Sequence, residues 1–313
     1  MGQPFISICI PAYKRLPYLK RLLASIAEQS YKHYEIIVSD DSDDDSVYHF
    51  LQSFNQLVSI QYFKNTPSLG TPANWNAAIS KAKGEWIKLM HDDDWFSNKE
   101  SLQKFADATI YGPKFIYSSY SNFIETEESF QTVHHNKTQL KRILRQPLLL
   151  LSENIIGPPS VTLFHKTVLE QYDERMKWRV DLEYYIRVLL KEKEVYHIQD
   201  NLIHVGVSES QVTNYCINVP KVEIPEGYIL LEKYGTTPLK NMIVYDAWWR
   251  ILRNCQIRSE NDLTQFGNTH WPVAIINMVH LQSKFSSALL KNGFISKISM
   301  TFSYLQNIIQ GKL

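Results

Sequence analysis

Residues 86–96 read Trp-Ile-Lys-Leu-Met-His-Asp-Asp-Asp-Trp-Phe, so a strand-like apolar run passes directly into three consecutive carboxylates and bulky aromatics follow at once. Adjacent aspartates repel one another and cost stability unless a cation or a ligand gathers them. Clamped between apolar segments, Asp92, Asp93 and Asp94 are expected at the carboxyl end of a buried strand rather than in a solvated loop. In open α/β sheets that edge is where ligands bind. A divalent metal held there would grip a diphosphate, which points to a nucleotide-linked substrate.

The neighbouring segments set the fold class. Residues 5–10 form a short, nearly continuous apolar run of the kind a buried parallel strand needs, and Pro11 stops it. Leu16, Leu19, Leu22, Leu23, Ile26 and Ala27 then recur at helical spacing, with Lys20, Arg21 and Glu28 off that face. Further strands are expected at 35–39, 58–63, 86–90 and 114–118. Helices are expected at 73–83, closed by Gly84, and at 98–110. Strand alternating with helix implies an α/β fold with a right-handed, doubly wound, mostly parallel twisted sheet flanked by helices.

After about residue 120 the pattern loosens. It predicts a helix over 138–151, a loop at Gly157-Pro158-Pro159-Ser160, a strand at 161–164 and a helix over 181–192. Short strands follow at 195–198 and 202–205. Beyond 215 the chain reads as helices punctuated by Pro220, Pro225, Gly235, Pro238 and Pro272. The expected division is therefore 1–215 as one domain and 216–313 as a helical C-terminal region.

Composition narrows the class of partner. A net charge of +1 leaves no global field pulling the chain toward nucleic acid or an anionic membrane, so any basic patch must be local. Cys9, Cys216 and Cys255 lie far apart without metal or redox spacing and read as buried thiols of a reducing compartment. No secretion signal is visible at the N-terminus, and no apolar run reaches the roughly 20 residues of a membrane span. The expectation is a cytoplasmic chain. Without a secretion signal, the sequon at Asn136-Lys137-Thr138 reads as chance.

Four constellations could carry chemistry. Pro11 and Tyr13, between strand one and helix one, can offer a ring on which a base stacks; the bland alternative is a stiffened turn with a surface tyrosine. Asp40 and Asp41 end strand two, where a carboxylate can accept from a base imide or a ribose hydroxyl. Asp43 to Asp45 read as solvated, and the run lacks the glycine and glutamate of a calcium loop. The triple aspartate offers the hard oxygens that Mg²⁺ or Mn²⁺ prefers; Asp94 alone could be an acidic helix N-terminus. Asp181 opens a helix, either as a cap or as a general base aimed at an acceptor hydroxyl. His91 and His204 are more often packed or hydrogen-bonded than ligands, and His204 is a remote candidate for an extra metal ligand.

Taken together, Ser7-Ile8-Cys9-Ile10-Pro11-Ala12-Tyr13, Glu35-Ile36-Ile37-Val38-Ser39-Asp40-Asp41-Ser42, Asn65 through Gly70 to Asn74-Trp75-Asn76, and Ala82-Lys83-Gly84-Glu85-Trp86 into the aspartates resemble a family 2 glycosyltransferase of the GT-A fold. Order and spacing agree through about residue 120 and more weakly to about 210. The resemblance implies a nucleotide-sugar half at 1–120 and an acceptor half at 120–215. It implies that Pro11 and Tyr13 contact the base, that Asp41 bonds the pyrimidine with Asp40 as the alternative, that Asp92 holds the ribose and that Asp93 holds the metal. Asp181 matches the family's late acidic motif, whose aspartate is the catalytic base, and 157–160 matches the segment lining the acceptor side. The activity implied is a metal-dependent (Mn²⁺ or Mg²⁺), inverting transfer from a nucleotide diphosphate sugar, UDP by family habit, to a glycan or lipid-linked acceptor in surface polysaccharide biosynthesis.

Three departures stand out. His91 replaces an aspartate that often opens the acidic motif. Trp75 replaces an arginine before Asn76. The Gln-Arg-Trp signature of processive synthases is missing, which favours single sugar addition. A nucleotidyltransferase is disfavoured because no glycine-rich loop follows strand one. A decayed, non-catalytic nucleotide-sugar or glycan-binding module is disfavoured because Asp41, Asp92, Asp93 and Asp181 are all present. Residues 283–310 interleave large apolar residues with lysines. Such helices pack on a main domain or a partner subunit, as in a homo-oligomer, or lie on a membrane surface at the inner face.

Overall fold

A computed structural model of the chain describes residues 5–54, 59–134, 137–209 and 211–313. Val58, at the start of the third expected strand, and Asn136 of the sequon lie outside the described residues. The β-branched runs pair in parallel: β1 (Ile6–Ala12), β2 (Tyr34–Asp40), β3 (Ile60–Lys64) and β4 (Trp86–Leu89) line up in the order β3-β2-β1-β4. β5 (Trp95–Phe96), β6 (Phe115–Ile124), β7 (Ser129–Val133), β8 (Thr162–His165) and β9 (Tyr196–Val207) continue this sheet to β3-β2-β1-β4-β8-β6-β9-β5, with β7 beside β6. β8 runs antiparallel to β4 and β6, while β6 and β9 pair in parallel. The expected α/β class, with a parallel nucleus, is what forms.

Helices α1 (Leu16–Ala27), α2 (Ser46–Phe54), α3 (Ala73–Ser80), α4 (Ser101–Ala108), α5 (Lys137–Arg145) and α6 (Val180–Glu192) connect the strands. α1 buries Leu19, Leu22, Leu23 and Ile26, the stripe that helical spacing marks out. α7 (Val212–Cys216), α8 (Pro220–Tyr234), α9 (Met242–Asn254), α10 (Glu260–Thr264), α11 (Val273–Ser283), α12 (Ser287–Lys291) and α13 (Gly293–Ile309) follow. Pro220 sits at the first turn of α8 and Pro272 caps α11, positions where a missing N–H costs nothing. Among the described residues no helix is long and apolar enough to cross a membrane. All three cysteines are buried and free.

The chain divides into two compact units. The first comprises Met1–Pro147, Ile155–Glu174 and Tyr184–Glu209; the second comprises Leu148–Asn154, Arg175–Glu183 and Ser210–Leu313. The sheet belongs entirely to the first. The second is helical, with Tyr245, Trp249, Ile275, Met278 and Met300 in its core.

Local structure departs from expectation at several places. Pro11 does not stop β1, which runs on to Ala12 with Pro11 paired to Ser39, and Pro225 lies inside α8. The helix expected over 138–151 ends at Arg145, because Pro147 cannot continue the hydrogen-bond ladder, and residues 147–151 tighten into a 3₁₀ turn. The two strands expected at 195–198 and 202–205 are one strand, β9. Its pairing with β6 jumps from Ser118↔Ile198 to Ser119↔Asn201, so a bulge rather than a break absorbs the polar residues between. Gly84 does not close α3, whose C-cap is Lys81. Its N–H instead donates to Ser7 Oγ at 2.8 Å, and a Cβ there would meet Ser7 N and Oγ at 2.7 Å. Glycine is required because β1 and the approach to β4 touch backbone to backbone. Gly84→Ala is therefore expected to lower the melting temperature by about 3–8 °C, from roughly 1–3 kcal/mol of overpacking; an unshifted melting curve would refute this contact.

Candidate active site

Parallel register brings the strand ends to one edge. Pro11 pairs with Ser39, Ala12 with Asp40, and Asp40 with Lys64, while Cys9 pairs with Leu89 just before the acidic run. Tyr13 projects past β1, half exposed, with Lys14 Nζ 5.3 Å from its ring centre. Asp41 is buried and closes the 65–70 loop. Its Oδ1 accepts from Asn65 Nδ2 (2.8 Å) and Leu69 N (3.1 Å), and its Oδ2 from Gly70 N (2.7 Å). Asp40 is also buried. One oxygen accepts from Ser42 N (2.9 Å), the other from Tyr62 O–H (2.8 Å) and Lys64 (3.4 Å).

The acidic run turns inward directly after β4. His91 N donates to Ser160 Oγ at 2.9 Å, seating the run against the 157–160 loop. Arg15, from the loop before α1, forks onto two carboxylates: Nη2 bonds Asp92 and Nη1 bonds Asp93 at 2.8 Å. Arg21 donates to the Asp93 carbonyl at 2.9 Å while stacked 3.6 Å from the Trp95 ring centre. Asp94 accepts from Gly206 N at 3.1 Å, and a Cβ on Gly206 would meet the Asp93 carbonyl oxygen at 2.5 Å. β9 can therefore approach only as glycine.

Burial dominates the electrostatics of this run. It pushes the Asp92 carboxyl up to about 7 despite Arg15, with Asp93 adding to the rise. It drives Asp94 well above the carboxylate range, with Asp93 again adding and Ser160 and Gly206 opposing. It lowers the His91 imidazole to about 4, so His91 is neutral at ordinary pH. Behind the run, Lys88 on β4 is fully buried. Its ammonium donates to the carbonyls of Ser160 and Thr162 and lies 4.4 Å from the Phe105 ring centre. Burial pushes it well below its ordinary value, with Asp94 pulling the other way.

One group of three faces together. Ligand atoms of His91, Asp93 and Asp94 lie within 4.8 Å of one another. His91 Nε2 is buried with no hydrogen-bond partner among the described residues, while the ring packs against Trp75 at 4.6 Å. A neutral imidazole with an orphaned nitrogen beside two carboxylates is a donor set that fits a divalent cation. Asp92 stands outside this group. Asp94 heads no helix, so its alternative reading as an acidic helix N-terminus does not hold. His204 also stands apart, its ring packed on Phe130 (4.4 Å) and Trp95 (5.3 Å).

Asp181 belongs to the second unit. It is the second residue of α6, not its N-cap. Oδ1 accepts from Leu182 N (2.8 Å) and Oδ2 from Asn154 Nδ2 (2.9 Å). The turn before it is pinned by Glu226, which accepts from the backbone N–H groups of Lys177, Trp178 and Arg179 at 2.6–2.9 Å. Asp181 faces a cavity of about 290 Å³ whose walls include Asn154, Trp178, Arg179, Arg250 and Asn254. Its enclosing walls raise the carboxyl to about 6; Glu226 adds to the rise and Asn154 opposes it.

The model of the family described as "Glycosyl transferase family 2" matches residues 7–173, just over half of the chain. The chain belongs to glycosyl transferase family 2. WcaA of Escherichia coli, a glycosyl transferase assigned to colanic acid biosynthesis, is 25% identical over 68% of this glycosyltransferase and 77% of its own length. Among solved structures, Staphylococcus aureus TarS 1–349 in complex with UDP superposes with a TM-score of 0.58 at 17% identity, covering 97% of this chain and 92% of that one; against a longer TarS chain the coverage is 55%. The mannosyltransferase PcManGT of Pyrobaculum calidifontis, in complex with GDP-Man and Mn²⁺, gives 0.57 at 14% identity, covering 97% and 88%. These two likenesses establish the fold.

Within this glycosyltransferase the first unit brings Pro11, Tyr13, Asp41, Asp92 and Asp93 to the sheet's carboxyl edge or the turns beyond it. The sequence reading of His91 as more often packed than ligating meets a ring that packs on Trp75 and also sits beside Asp93 and Asp94. Sequence reasoning passed over Arg15, Arg21 and Lys88. Arg15 had a signal, a cation two residues after Tyr13 in a ligand-edge loop. Lys88 also had one, as the lone charge inside an apolar strand. Arg15→Ala leaves Asp92 and Asp93 without their cation. It is expected to lower the metal-free melting temperature by about 3–6 °C, roughly 1–2 kcal/mol after allowing for partial exposure, and to enlarge the upward shift that added Mn²⁺ produces. Equal Mn²⁺ shifts in wild type and variant would show that Arg15 does not balance this charge.

Proposed function

We propose that this glycosyltransferase moves a sugar from a nucleotide diphosphate donor, UDP foremost, to a hydroxyl of a glycan or lipid-linked acceptor in surface polysaccharide biosynthesis. The observation that carries the reading is the convergence of His91, Asp93 and Asp94 with an unpartnered imidazole nitrogen at the ligand-binding edge of the sheet. The UDP held by TarS, the GDP-Man and Mn²⁺ held by PcManGT, and the colanic acid biosynthesis of WcaA lend it support. In this reading Pro11 and Tyr13 hold the base, Asp41 bonds its imide with Asp40 as the alternative, and Asp92 takes the ribose. Held by His91, Asp93 and Asp94, a Mn²⁺ or Mg²⁺ ion would supply positive charge to the diphosphate.

Asp181 is the proposed base. Its carboxylate takes the proton of the acceptor hydroxyl. The freed oxygen bonds to the anomeric carbon from the face opposite the leaving group as the bond to the nucleoside diphosphate breaks. The electron pair of that bond leaves on the diphosphate, which gives inversion without a covalent enzyme intermediate. The cavity beside Asp181 is of a size to take a sugar ring. Trp178 offers an aromatic face, and Asn154, Arg250 and Asn254 offer polar groups for hydroxyls.

The donor half of the reading predicts that UDP raises the melting temperature only with Mn²⁺ present and that Asp93→Ala abolishes the shift. If no nucleotide shifts the wild type under any metal condition, the donor assignment fails. The base assignment makes a separate prediction. Asp181→Asn should lose about 100-fold or more in kcat, and the wild-type rate should climb with pH through about 6 as the carboxylate forms. The stability sign is opposite. A carboxyl raised in the fold contributes stability below its ordinary pKa that is lost as pH rises through about 6. The neutral Asp181→Asn variant should therefore melt a few degrees above wild type at about pH 8. A variant that turns over normally would remove Asp181 from the chemistry.

A further inference from the structure

Helix α13 is inside out. The residues it buries are Ser296, Ser299, Met300, Ser303 and Asn307, a stripe at helical spacing that is polar except for one methionine. That stripe is satisfied by hydrogen bonds within the second unit. Ser296 Oγ accepts from Trp249 Nε1 (3.1 Å) and Arg253 Nη1 (3.0 Å). Ser303 Oγ lies 2.6 Å from the Tyr245 hydroxyl, which also accepts from Asn307 Nδ2 (2.7 Å). Asn277 in turn donates to Asn307 Oδ1 at 2.8 Å. The polar face is therefore the seat of the helix, fixed by bonds that would be left unmade if α13 rolled over.

The opposite face is apolar and open. Phe294, Ile298, Phe302, Leu305 and Ile309 recur at intervals of three and four, and each is at least half exposed, Ile309 reaching 83% and Phe294 75%. Ile308 and, on α12, Leu289 are close to half exposed as well. A continuous ridge of this kind marks an interaction surface. Two aromatic and several branched aliphatic side chains would not be held in water along a well-capped helix by local propensity alone.

Charge selects the occupant. Residues 263–313 contain four lysines, Lys284, Lys291, Lys297 and Lys312, and no aspartate, glutamate or arginine. Lys291 closes α12 and Lys312 follows the end of α13, both exposed, while Lys297 on α13 pairs with Asp246 at 3.1 Å. A second copy docking the same face in a two-fold pair would set lysines against lysines with no carboxylate from this segment to answer them. An anionic lipid surface would answer them with headgroup phosphates while its acyl chains received the ridge.

We infer that the outward face of α13 lies in the interface of an anionic bilayer, holding this chain at a membrane surface without crossing it. The ridge sits in the helical unit and involves none of the residues assigned to donor, metal or base, so the inference stands whether or not the proposed reaction is right.

The test is co-flotation of the full chain with phosphatidylcholine vesicles and with vesicles containing phosphatidylglycerol, alongside sedimentation of the protein alone. The wild type should float with the anionic vesicles, less with the neutral ones, and less again as salt rises. The double variant Phe302→Ser/Ile309→Ser should lose partitioning by roughly tenfold for each side chain removed, with an unchanged melting temperature, because neither residue is packed. Lys291→Ala/Lys312→Ala should lose the preference for anionic over neutral vesicles and keep residual apolar binding. Two results would overturn the inference. One is wild type that stays in the soluble fraction with anionic vesicles. The other is a dimer in solution that the double variant dissolves, which would assign the ridge to a second copy.

Discussion

Everything at the ligand edge depends on how three successive carboxylates are kept at the end of a buried strand. Water cannot screen them, since Asp92 and Asp94 are almost wholly buried. Three different devices share the task. Arg15 forks onto Asp92 and Asp93, Gly206 offers a backbone N–H to Asp94, and Ser160 ties the run to the 157–160 loop through His91. Each device comes from a distant part of the chain, so the acidic run acts as a knot joining β1, β4, β8 and β9. The arrangement is strained in charge rather than in backbone. Desolvation by burial raises Asp92 and Asp94, and the charge of Asp93 between them adds to the rise. A site that is short of positive charge when empty gains most when a cation enters.

The carboxylates of β2 illustrate the opposite solution. Asp41 accepts three hydrogen bonds from the 65–70 loop, two of them from backbone N–H groups, and Asp40 is fixed by Ser42, Tyr62 and Lys64. These donors fix the orientation of both side chains. A carboxylate so held offers a ligand only its remaining lone pairs, in a fixed direction. That rigidity suits reading the edge of a base. The acidic run after β4, by contrast, has an imidazole with an unused nitrogen and an arginine that a competing cation could displace. The two aspartates ending β2 and the three following β4 thus differ in what their surroundings leave free.

Much of the first unit was legible in the sequence because parallel strands buried on both faces leave a strong local signal. The apolar runs of β1, β2 and β4, the α1 stripe and the strand-end acids were all readable. What was not readable is long-range. Arg15 and Asp92 are 77 positions apart, and nothing local says which cation will fork onto which acid. Gly84 looked like a helix cap because the pattern before it is helical, yet its reason is a neighbour in β1. Trp75 stood out as a departure from the family pattern. Its place against His91 shows the departure filled with an aromatic wall rather than left as a gap. For residues 283–310 the sequence left a packed face and a membrane-surface face both open. On α13 hydrogen-bond partners from α9 and α11 seat the polar stripe inward and leave the apolar one outward.

Asp92 and Asp181 bring out why position in the sequence does not assign a role to an acid. Both are pushed upward by burial, to about 7 and about 6, but their surroundings differ in kind. Asp92 shares a guanidinium with its neighbour, so its charge is tied to what Arg15 does. Asp181 has a neutral amide, a backbone N–H and a nearby carboxylate, and Arg179 beside it is already bound to Glu223 at 2.6 Å. With no cation bonded to it among the described residues, Asp181 can gain a proton without breaking an ion pair, and its raised affinity for that proton makes it a stronger base than an exposed aspartate. Asp92 is raised further still, but it shares the Arg15 guanidinium with Asp93, so a proton taken up there loosens an ion pair. What separates the two acids is the set of donors around each, not the size of the shift.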